Sequence, residues 1–196
     1  MQKSQPTEIK VFENQELPKK KTLCVNLYGG PGTGKSVQQA LIFARLKIWG
    51  VDAMMSMEAA KRYVYNGSVE IKTQEGLFGD QLRELELLNG KCEVIVCEAP
   101  LLFNIIYDRV NGNINNIDFH RQVSNKYKQF DNMDFLFTRT HKYQREGRYQ
   151  DEQGAIEVDK IIIDVLKENA VTPIEIAPYE ESAITIARKI MEHLGK

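Results

Sequence analysis

Short apolar runs alternate with amphipathic segments along most of the chain. The apolar runs are four to seven residues long and predict five strands: Thr22–Tyr28, Val51–Met57, Glu93–Cys97, Phe135–Thr138 and Ile174–Ala177. Helical spacing of apolar residues predicts the helices Lys35–Trp49, Leu77–Asn89, Pro100–Val110, Phe119–Phe130, Asp151–Glu168 and Glu180–Leu194, and residues 58–66 also look helical. Strands that alternate with helices predict an α/β fold with a five-stranded parallel sheet covered on both faces.

The helical spacing also predicts which residues face the core. In the first helix these are Val37, Leu41, Ala44 and Ile48; in the second they are Phe78, Leu82, Leu85 and Leu88. The later inward sets are Phe119, Val123, Tyr127 and Phe130, then Val158, Ile162 and Val165, and finally Ala183, Ala187, Ile190 and Leu194.

The segment Gly29–Ser36, GGPGTGKS, lies between the first predicted strand and the first helix. It fits the pattern G-x-x-x-x-G-K-[ST], in which backbone N–H groups surround phosphate oxygens and the lysine reaches the β- and γ-phosphates. The helix that follows directs its positive dipole end at the same anion. We therefore predict an ATP site formed by Gly30, Pro31, Gly32, Thr33, Gly34, Lys35, Ser36 and Val37, with Ser36 as an Mg²⁺ ligand.

Composition limits the rest of the prediction. The 196 residues carry a net charge of −1, which excludes a generally polybasic nucleic-acid binder. We expect one domain at 22–196 after a polar N-terminal arm at 1–21 that ends in three lysines. The three cysteines form no C-x-x-C pair, and the chain contains neither a signal peptide nor an apolar run of membrane-spanning length, so we expect a cytoplasmic protein.

Charged residues follow three of the predicted strands. Glu58 comes just after the second strand and Glu98 directly after the third. The fourth strand leads into RTHKYQREGRYQ, residues 139–150, which is rich in arginine and lysine. Ligands of open α/β sheets bind outside the carboxyl ends of the strands, so we expect these groups near the bound nucleotide.

Four stretches resemble the NadR-like P-loop proteins, which include the ribosylnicotinamide kinase domain and AAA-labelled relatives common in phages. They are VNLYGGPGTGKS, VIVCEAPLL, LFGDQLRELELLNGK and RTHKYQREGRYQ…VDKIIIDVL, and the likeness extends from about Leu23 to Ile176. Such relatives more often have Asp-Ser-Pro where this chain has Glu98, Ala99 and Pro100, so the carboxylate is kept and the hydroxyl is lost. More broadly, the layout resembles nucleoside and nucleoside-monophosphate kinases. The resemblance implies a P-loop NTPase three-layer sandwich with a kinase-like lid, and host cytoplasm as the location if a phage encodes the chain.

A lid at about 139–150 agrees with the chemistry of phosphoryl transfer, which needs positioning and charge neutralisation. Arg145 and Arg148 lie on either side of Gly147 and suit a lid that closes over the triphosphate. Arg139 either binds the acceptor or begins the lid. A plain basic surface loop is the alternative for the whole segment.

The sequence allows either carboxylate to be the Mg²⁺ ligand and the other to be the base. Glu98 suits an Mg²⁺ ligand that acts through water, like a Walker B acid, whereas Glu58 suits the base that takes the proton of the acceptor, as in the deoxynucleoside kinases that the layout resembles. The reverse assignment stays open. Gln81 is a candidate to read a base, because an amide both donates and accepts hydrogen bonds. Phe78 and Tyr63 are candidates to stack on that base, and core packing is the alternative role for both rings.

These observations favour an ATP- and Mg²⁺-dependent kinase that transfers the γ-phosphoryl group to a hydroxyl of a nucleoside- or nucleotide-like acceptor. Its catalytic residues would be Lys35, Glu98, Glu58, Arg145 and Arg148, and its acceptor site would contain Glu58, Gln81, Arg139 and Phe78. One alternative is a kinase for a hydroxymethylated pyrimidine within DNA, for which the basic lid and Lys19–Lys21 would supply a local track. A regulatory or assembly ATPase without a small acceptor, a non-catalytic nucleotide sensor and a homodimer also stay open.

Overall fold

The computed structural model describes residues 21–56, 73–139 and 152–196. The strands are β1 Leu23–Tyr28, β2 Ala53–Ser56, β3 Val94–Cys97, β4 Asp131–Phe137 and β5 Ile174–Ile176. The helices in these ranges are α1 Lys35–Ile48, α2 Gln74–Leu88, α3 Phe103–Val110, α4 Ile117–Tyr127, α5 Glu152–Glu168 and α6 Glu180–Leu194.

The five strands form one parallel sheet in the order β2-β3-β1-β4-β5. β1 lies in the centre, where Asn26 pairs with Cys97 of β3 and Tyr28 pairs with Leu136 of β4. The carboxyl ends of all five strands therefore lie at one edge of the sheet, as the sequence predicts. The strand-helix alternation of the sequence predicts this topology, because a parallel neighbour can be reached only through a crossover connection.

The two faces of the sheet have separate hydrophobic cores. Leu23, Val25 and Leu27 of β1 point to the face covered by α1 and α6, whose buried residues include Ile42, Leu46, Ile186 and Ile190. Cys24 and Tyr28 point to the opposite face, which is covered by α2, α3, α4 and α5. Strand residues alternate between faces with a period of two, so one central strand supports both layers. The predicted three-layer α/β arrangement is confirmed.

Several predicted boundaries shift. β2 is shorter than predicted, α2 begins at Gln74 after the N-cap Thr73, whose Oγ1 accepts a hydrogen bond from the Gly76 amide, and α3 begins three residues after Pro100. α4 ends at Tyr127, so Phe130 lies beyond the helix and is partly buried against the core. The inward faces predicted for α5 and α6 are confirmed, except that Leu194 is only partly buried.

The predicted inward face of α1 is wrong. Val37 and Ile48 are 63% and 73% exposed, and Leu41 and Ala44 are exposed as well. The buried residues are Gln38, Gln39, Ile42 and Leu46. Two amide side chains occupy the buried face because each reaches a backbone carbonyl group: Gln38 Nε2 donates to Tyr179 O at 2.8 Å, and Gln39 Nε2 donates to Ser56 O and Val96 O at 2.9 and 2.8 Å.

β4 begins four residues before its predicted start, and its first half is polar. Asp134 Oδ1 accepts a hydrogen bond from Asn26 Nδ2 at 2.9 Å, and Asp134 Oδ2 accepts one from Tyr127 Oη at 2.7 Å. Asn26 also donates to Asn132 Oδ1 at 3.0 Å. These long-range partners explain how polar residues occupy a strand beside the centre of the sheet.

We expect Asp134 to make folding stability depend on pH. Burial raises the pKa of the Asp134 carboxyl, while the hydrogen bonds from Tyr127 and Asn26 partly oppose this effect. A raised pKa in the folded state means that ionisation costs stability, and this cost grows as pH rises through the folded-state pKa. Asp134→Asn should therefore gain stability relative to the wild type as pH rises from acid to neutral, measured as the free energy of unfolding in urea.

Asp118→Asn serves as the control for this comparison, because the Asp118 side chain is 95% exposed. Its difference from the wild type should change little with pH. A difference between Asp134→Asn and the wild type that is constant or falls with rising pH would contradict the assignment.

Within residues 21–56, 73–139 and 152–196, none of the helices could span a membrane.

Candidate nucleotide-binding site

The loop Gly29–Ser36 connects β1 to α1 at the carboxyl edge of the sheet. Gly29, Gly32 and Gly34 have φ values of 144°, 83° and 82°, which residues with a Cβ rarely adopt. Thr33 is buried, and its Oγ1 donates to Gly30 O at 3.0 Å, so a hydrogen bond within the loop stabilises its conformation. The glycine positions of the sequence pattern thus coincide with backbone angles that only glycine adopts without strain.

Lys35 is oriented by the loop itself. Its Nζ donates to Gly29 O at 2.6 Å and to Gly30 O at 3.0 Å. The same Nζ lies 5.5 Å from the centroid of the Phe103 ring, a distance compatible with a cation–π contact. The ammonium group therefore lies against the loop and beside the start of α3.

Ser36 is exposed in the first turn of α1, and the N-cap residue Gly34 makes no side-chain cap. Amide groups of a helix N-terminus bind anions, and a serine hydroxyl is an oxygen ligand of the kind that Mg²⁺ accepts. Among the described residues there is no cluster of three or more His, Cys, Asp or Glu side chains suited to a metal.

Glu98 directly follows β3, the neighbour of β1, and is 5% exposed. Cys97 pairs with Asn26, so β3 ends two residues before the level at which β1 ends in Tyr28, and Glu98 follows directly after this end. The loop after Glu98 leads to Phe103, which contacts both Lys35 and Tyr28; the Tyr28 and Phe103 rings meet edge to face at 5.8 Å. The structure therefore places Glu98 and Lys35 at one edge of the sheet, each after one of two adjacent strands, as the sequence predicts.

The connections from β1 and β3 leave the sheet on opposite faces, since α1 packs against one face and α3 against the other. Such a change of side between neighbouring strands opens a crevice at their carboxyl ends, and ligands of α/β sheets bind there.

Gln81 is tied to the loop that follows Glu98. Its Nε2 donates to Ala99 O, and its Oε1 accepts from Asn104 Nδ2 at 2.7 Å. Asn104 also donates to Leu101 O and accepts from Gln74 Nε2, each at 2.9 Å. The amide of Gln81 thus fixes α2 against the β3–α3 loop, and its use in reading a base stays a prediction.

Phe78 lies one turn earlier in α2 and is 4% exposed. Its ring packs edge to face against Phe119, with centroids 5.8 Å apart. The core packing that was the alternative to stacking on a ligand is therefore the arrangement that the structure shows.

Arg139 follows β4, and its side chain contacts the phosphate-binding loop. Its Nη1 donates to Pro31 O at 3.1 Å, and its Nε and Nη2 donate to Asp159 Oδ2 at 3.2 and 2.9 Å. Asp159 is a residue of α5 that the sequence did not single out; its other oxygen accepts the backbone N–H of Gly30 at 2.8 Å. An aspartate on an amphipathic helix gives no signal for such a contact, because its partners are distant in sequence.

Other predicted site residues lie outside the described part of the chain. These are Glu58 with the stacking candidate Tyr63, and the lid arginines Arg145 and Arg148 with Gly147. Their roles stay predictions.

The sequence matches no protein-family model and no curated protein. Solved structures do match it. A deoxyadenosine kinase from M. mycoides is 17% identical with a TM-score of 0.54, over 88% of this chain and 98% of that chain. A thymidylate kinase from Ehrlichia chaffeensis is 13% identical with a TM-score of 0.58, over the same two shares.

The NadR protein in complex with NAD and AMP-PNP is 14% identical with a TM-score of 0.59. The match covers 89% of this chain and 50% of that chain, so it spans about half of that protein. Identities at this level show the fold alone, and the NadR-like membership suggested by the sequence motifs stays a resemblance. The chain therefore has the α/β fold of P-loop nucleoside and nucleotide kinases.

Proposed function

We propose that this protein is an ATP-dependent kinase that transfers the γ-phosphoryl group to a hydroxyl of a nucleoside- or nucleotide-like acceptor. The observation that carries the proposal is the position of two side chains. Lys35 is held against the carbonyl groups of its own loop, and Glu98 follows the adjacent strand at the same edge of the sheet. One supplies positive charge at the phosphates and the other supplies a carboxylate beside them.

The transfer needs few chemical groups. An acceptor oxygen bonds to the γ-phosphorus as the bond from that phosphorus to the β,γ-bridging oxygen breaks, and the acceptor proton passes to a carboxylate. Lys35 and the loop amides would neutralise the phosphate oxygens, and Arg139 lies on the same loop. Ser36 and Glu98 would hold Mg²⁺, which neutralises phosphate charge when bound.

The nature of the acceptor is supported by the similar structures. They include a deoxyadenosine kinase, a thymidylate kinase and a NadR protein in complex with NR, all of which act on or bind molecules that contain a nucleoside. We therefore place this chain's acceptor in the same chemical class. Either Glu98 or Glu58 takes the proton.

A panel of acceptors tests the proposal. The full chain is incubated with γ-labelled ATP, Mg²⁺ and one acceptor at a time: ribosylnicotinamide, deoxynucleosides, their monophosphates, or DNA that contains hydroxymethylated pyrimidine. ADP and labelled product are measured together. We expect one small acceptor to raise ADP release at least about tenfold and to take up label in equal amount, since binding and orienting both substrates contributes most of the catalysis.

Other outcomes separate the alternatives. Label that enters only DNA, with binding that weakens steeply as salt rises, would establish the DNA kinase instead. ADP and free phosphate released at one rate with every acceptor would indicate an ATPase without a small acceptor. Nucleotide binding without any ADP would leave a sensor.

A further inference from the structure

Asp159 joins two parts of the site that are remote in sequence. Its Oδ1 accepts the Gly30 amide hydrogen, 129 residues away, and its Oδ2 accepts two N–H groups of Arg139. Arg139 in turn donates to Pro31 O. A closed ring of hydrogen bonds therefore runs from Gly30 through Asp159 and Arg139 to Pro31. Such a ring fixes the direction of a guanidinium group, because Nε, Nη1 and Nη2 each have a partner.

The ring lies beside Lys35, the lysine of the phosphate-binding pattern. Lys35 donates to the carbonyl groups of Gly29 and Gly30, and Arg139 donates to the carbonyl group of Pro31. Two cationic side chains therefore donate hydrogen bonds to three consecutive carbonyl groups of one loop. Since the lysine of this pattern reaches the β- and γ-phosphates, the neighbouring guanidinium group lies near the same end of a bound triphosphate.

The absence of a side chain at Gly30 makes room for this contact. A Cβ at position 30 would overlap Asp159 Oδ1 and lie 3.1 Å from Arg139 Nη2. Unlike Gly29, Gly32 and Gly34, Gly30 does not have a positive φ. The need for space, and not the backbone angle, therefore explains why a glycine stands at position 30. The second residue of the loop thus makes room for the carboxylate.

We propose that Asp159 is a positioning residue that directs Arg139 at the terminal phosphates of the nucleoside triphosphate donor. This inference rests on the proposed function and assigns Arg139 to the donor half of the site, not to the acceptor. The pair is partly buried, with side chains 20% and 31% exposed, so solvent does not fully screen the interaction.

Equilibrium binding of ATP and ADP to the full chain tests the proposal, because binding needs no acceptor. Asp159→Ala and Arg139→Ala should each weaken ATP binding by about tenfold, the usual effect of losing a hydrogen bond between charged groups, and should weaken ADP binding much less. The double variant should bind ATP no worse than Arg139→Ala alone, because residues that act as one unit are not additive. Gly30→Ala should resemble Asp159→Ala.

Glu168→Gln is the matched control. Glu168 lies on the same helix and holds Arg109 through two hydrogen bonds of 2.9 and 2.6 Å, far along α5 from Asp159. Loss of this pair should alter the urea midpoint without altering the ratio of ATP to ADP affinity.

Any of three results with the variants overturns the proposal. An unchanged affinity ratio in Asp159→Ala, with a lower urea midpoint, would show a purely structural role. Tighter ATP binding in Asp159→Ala would show that the carboxylate competes with phosphate. An additive double variant would show that the two residues act separately. If the wild type binds neither nucleotide, the proposed function itself fails; if it binds both but transfers no phosphoryl group, only the kinase assignment fails.

Discussion

Lys35→Met should abolish most of the phosphoryl transfer while leaving the protein folded. Loss of one preorganised charged donor typically lowers kcat by about 10² to 10³-fold. Its Nζ donates to Gly29 O and Gly30 O and lies 5.5 Å from the centroid of the Phe103 ring, so the replacement removes polar contacts of the loop while methionine keeps an apolar chain beside the hydrophobic core. Initial rates of ADP and product formation, measured beside the urea midpoint, test this expectation.

Lys47→Met provides the comparison for that variant. Lys47 belongs to the same helix, and its Nζ lies 3.6 Å from Asp52 in an exposed ion pair. Exposed pairs contribute little, so both activity and stability should stay close to the wild type. Normal turnover of the Lys35→Met protein would show that the phosphate-binding loop takes no part in the reaction and would contradict the proposed kinase mechanism.

The central architecture could be predicted because it depends on local patterns. The apolar run of β3 and the glycine-rich loop after β1 each carry their signal within a few residues. A buried parallel strand must be apolar on both faces, and a phosphate-binding loop must have small residues at fixed places. The sheet, its parallel direction and the loop at its carboxyl edge follow from those two requirements.

The face of α1 could not be predicted in the same way. Hydrophobic periodicity assigns Val37 and Ile48 to the core, whereas the fold buries Gln38 and Gln39 there. Gln39 is favourable inside because it connects the carboxyl ends of β2 and β3 through their carbonyl groups. The cost of burying an amide is offset by hydrogen bonds whose partners lie 17 and 57 residues away, and a local pattern contains no record of them.

The candidate site shows the same division. The motif spacing identifies Lys35 and Ser36, and the position after an apolar strand identifies Glu98. No local pattern marks Asp159, since its contacts with Gly30 and Arg139 form only in the folded chain. Arg139 stands out in the sequence by its charge and its place after β4, but only its contact with Pro31 shows that it lies at the phosphate-binding loop.

Glu98→Gln should reduce kcat by about 10² to 10³-fold with little change in the affinity for ATP in the absence of Mg²⁺. Glutamine keeps the volume and an acceptor oxygen of the 5%-exposed side chain, so the change removes chiefly the negative charge. Stability should therefore fall less than in Glu98→Ala, which would also leave a cavity. Glu86→Gln is the control, because Glu86 lies at the surface of α2 and pairs with Lys126 at 3.0 Å.

Two measurements on Glu98→Gln distinguish the roles left open by the sequence. If Glu98 holds Mg²⁺, the variant should require a higher Mg²⁺ concentration for half-maximal rate, and excess Mg²⁺ should restore part of the activity. If Glu98 takes the proton from the acceptor, excess Mg²⁺ should restore none of the lost activity. Activity equal to the wild type in every condition would exclude both roles and would transfer the carboxylate's function to Glu58, whose replacement by glutamine should then cause the loss.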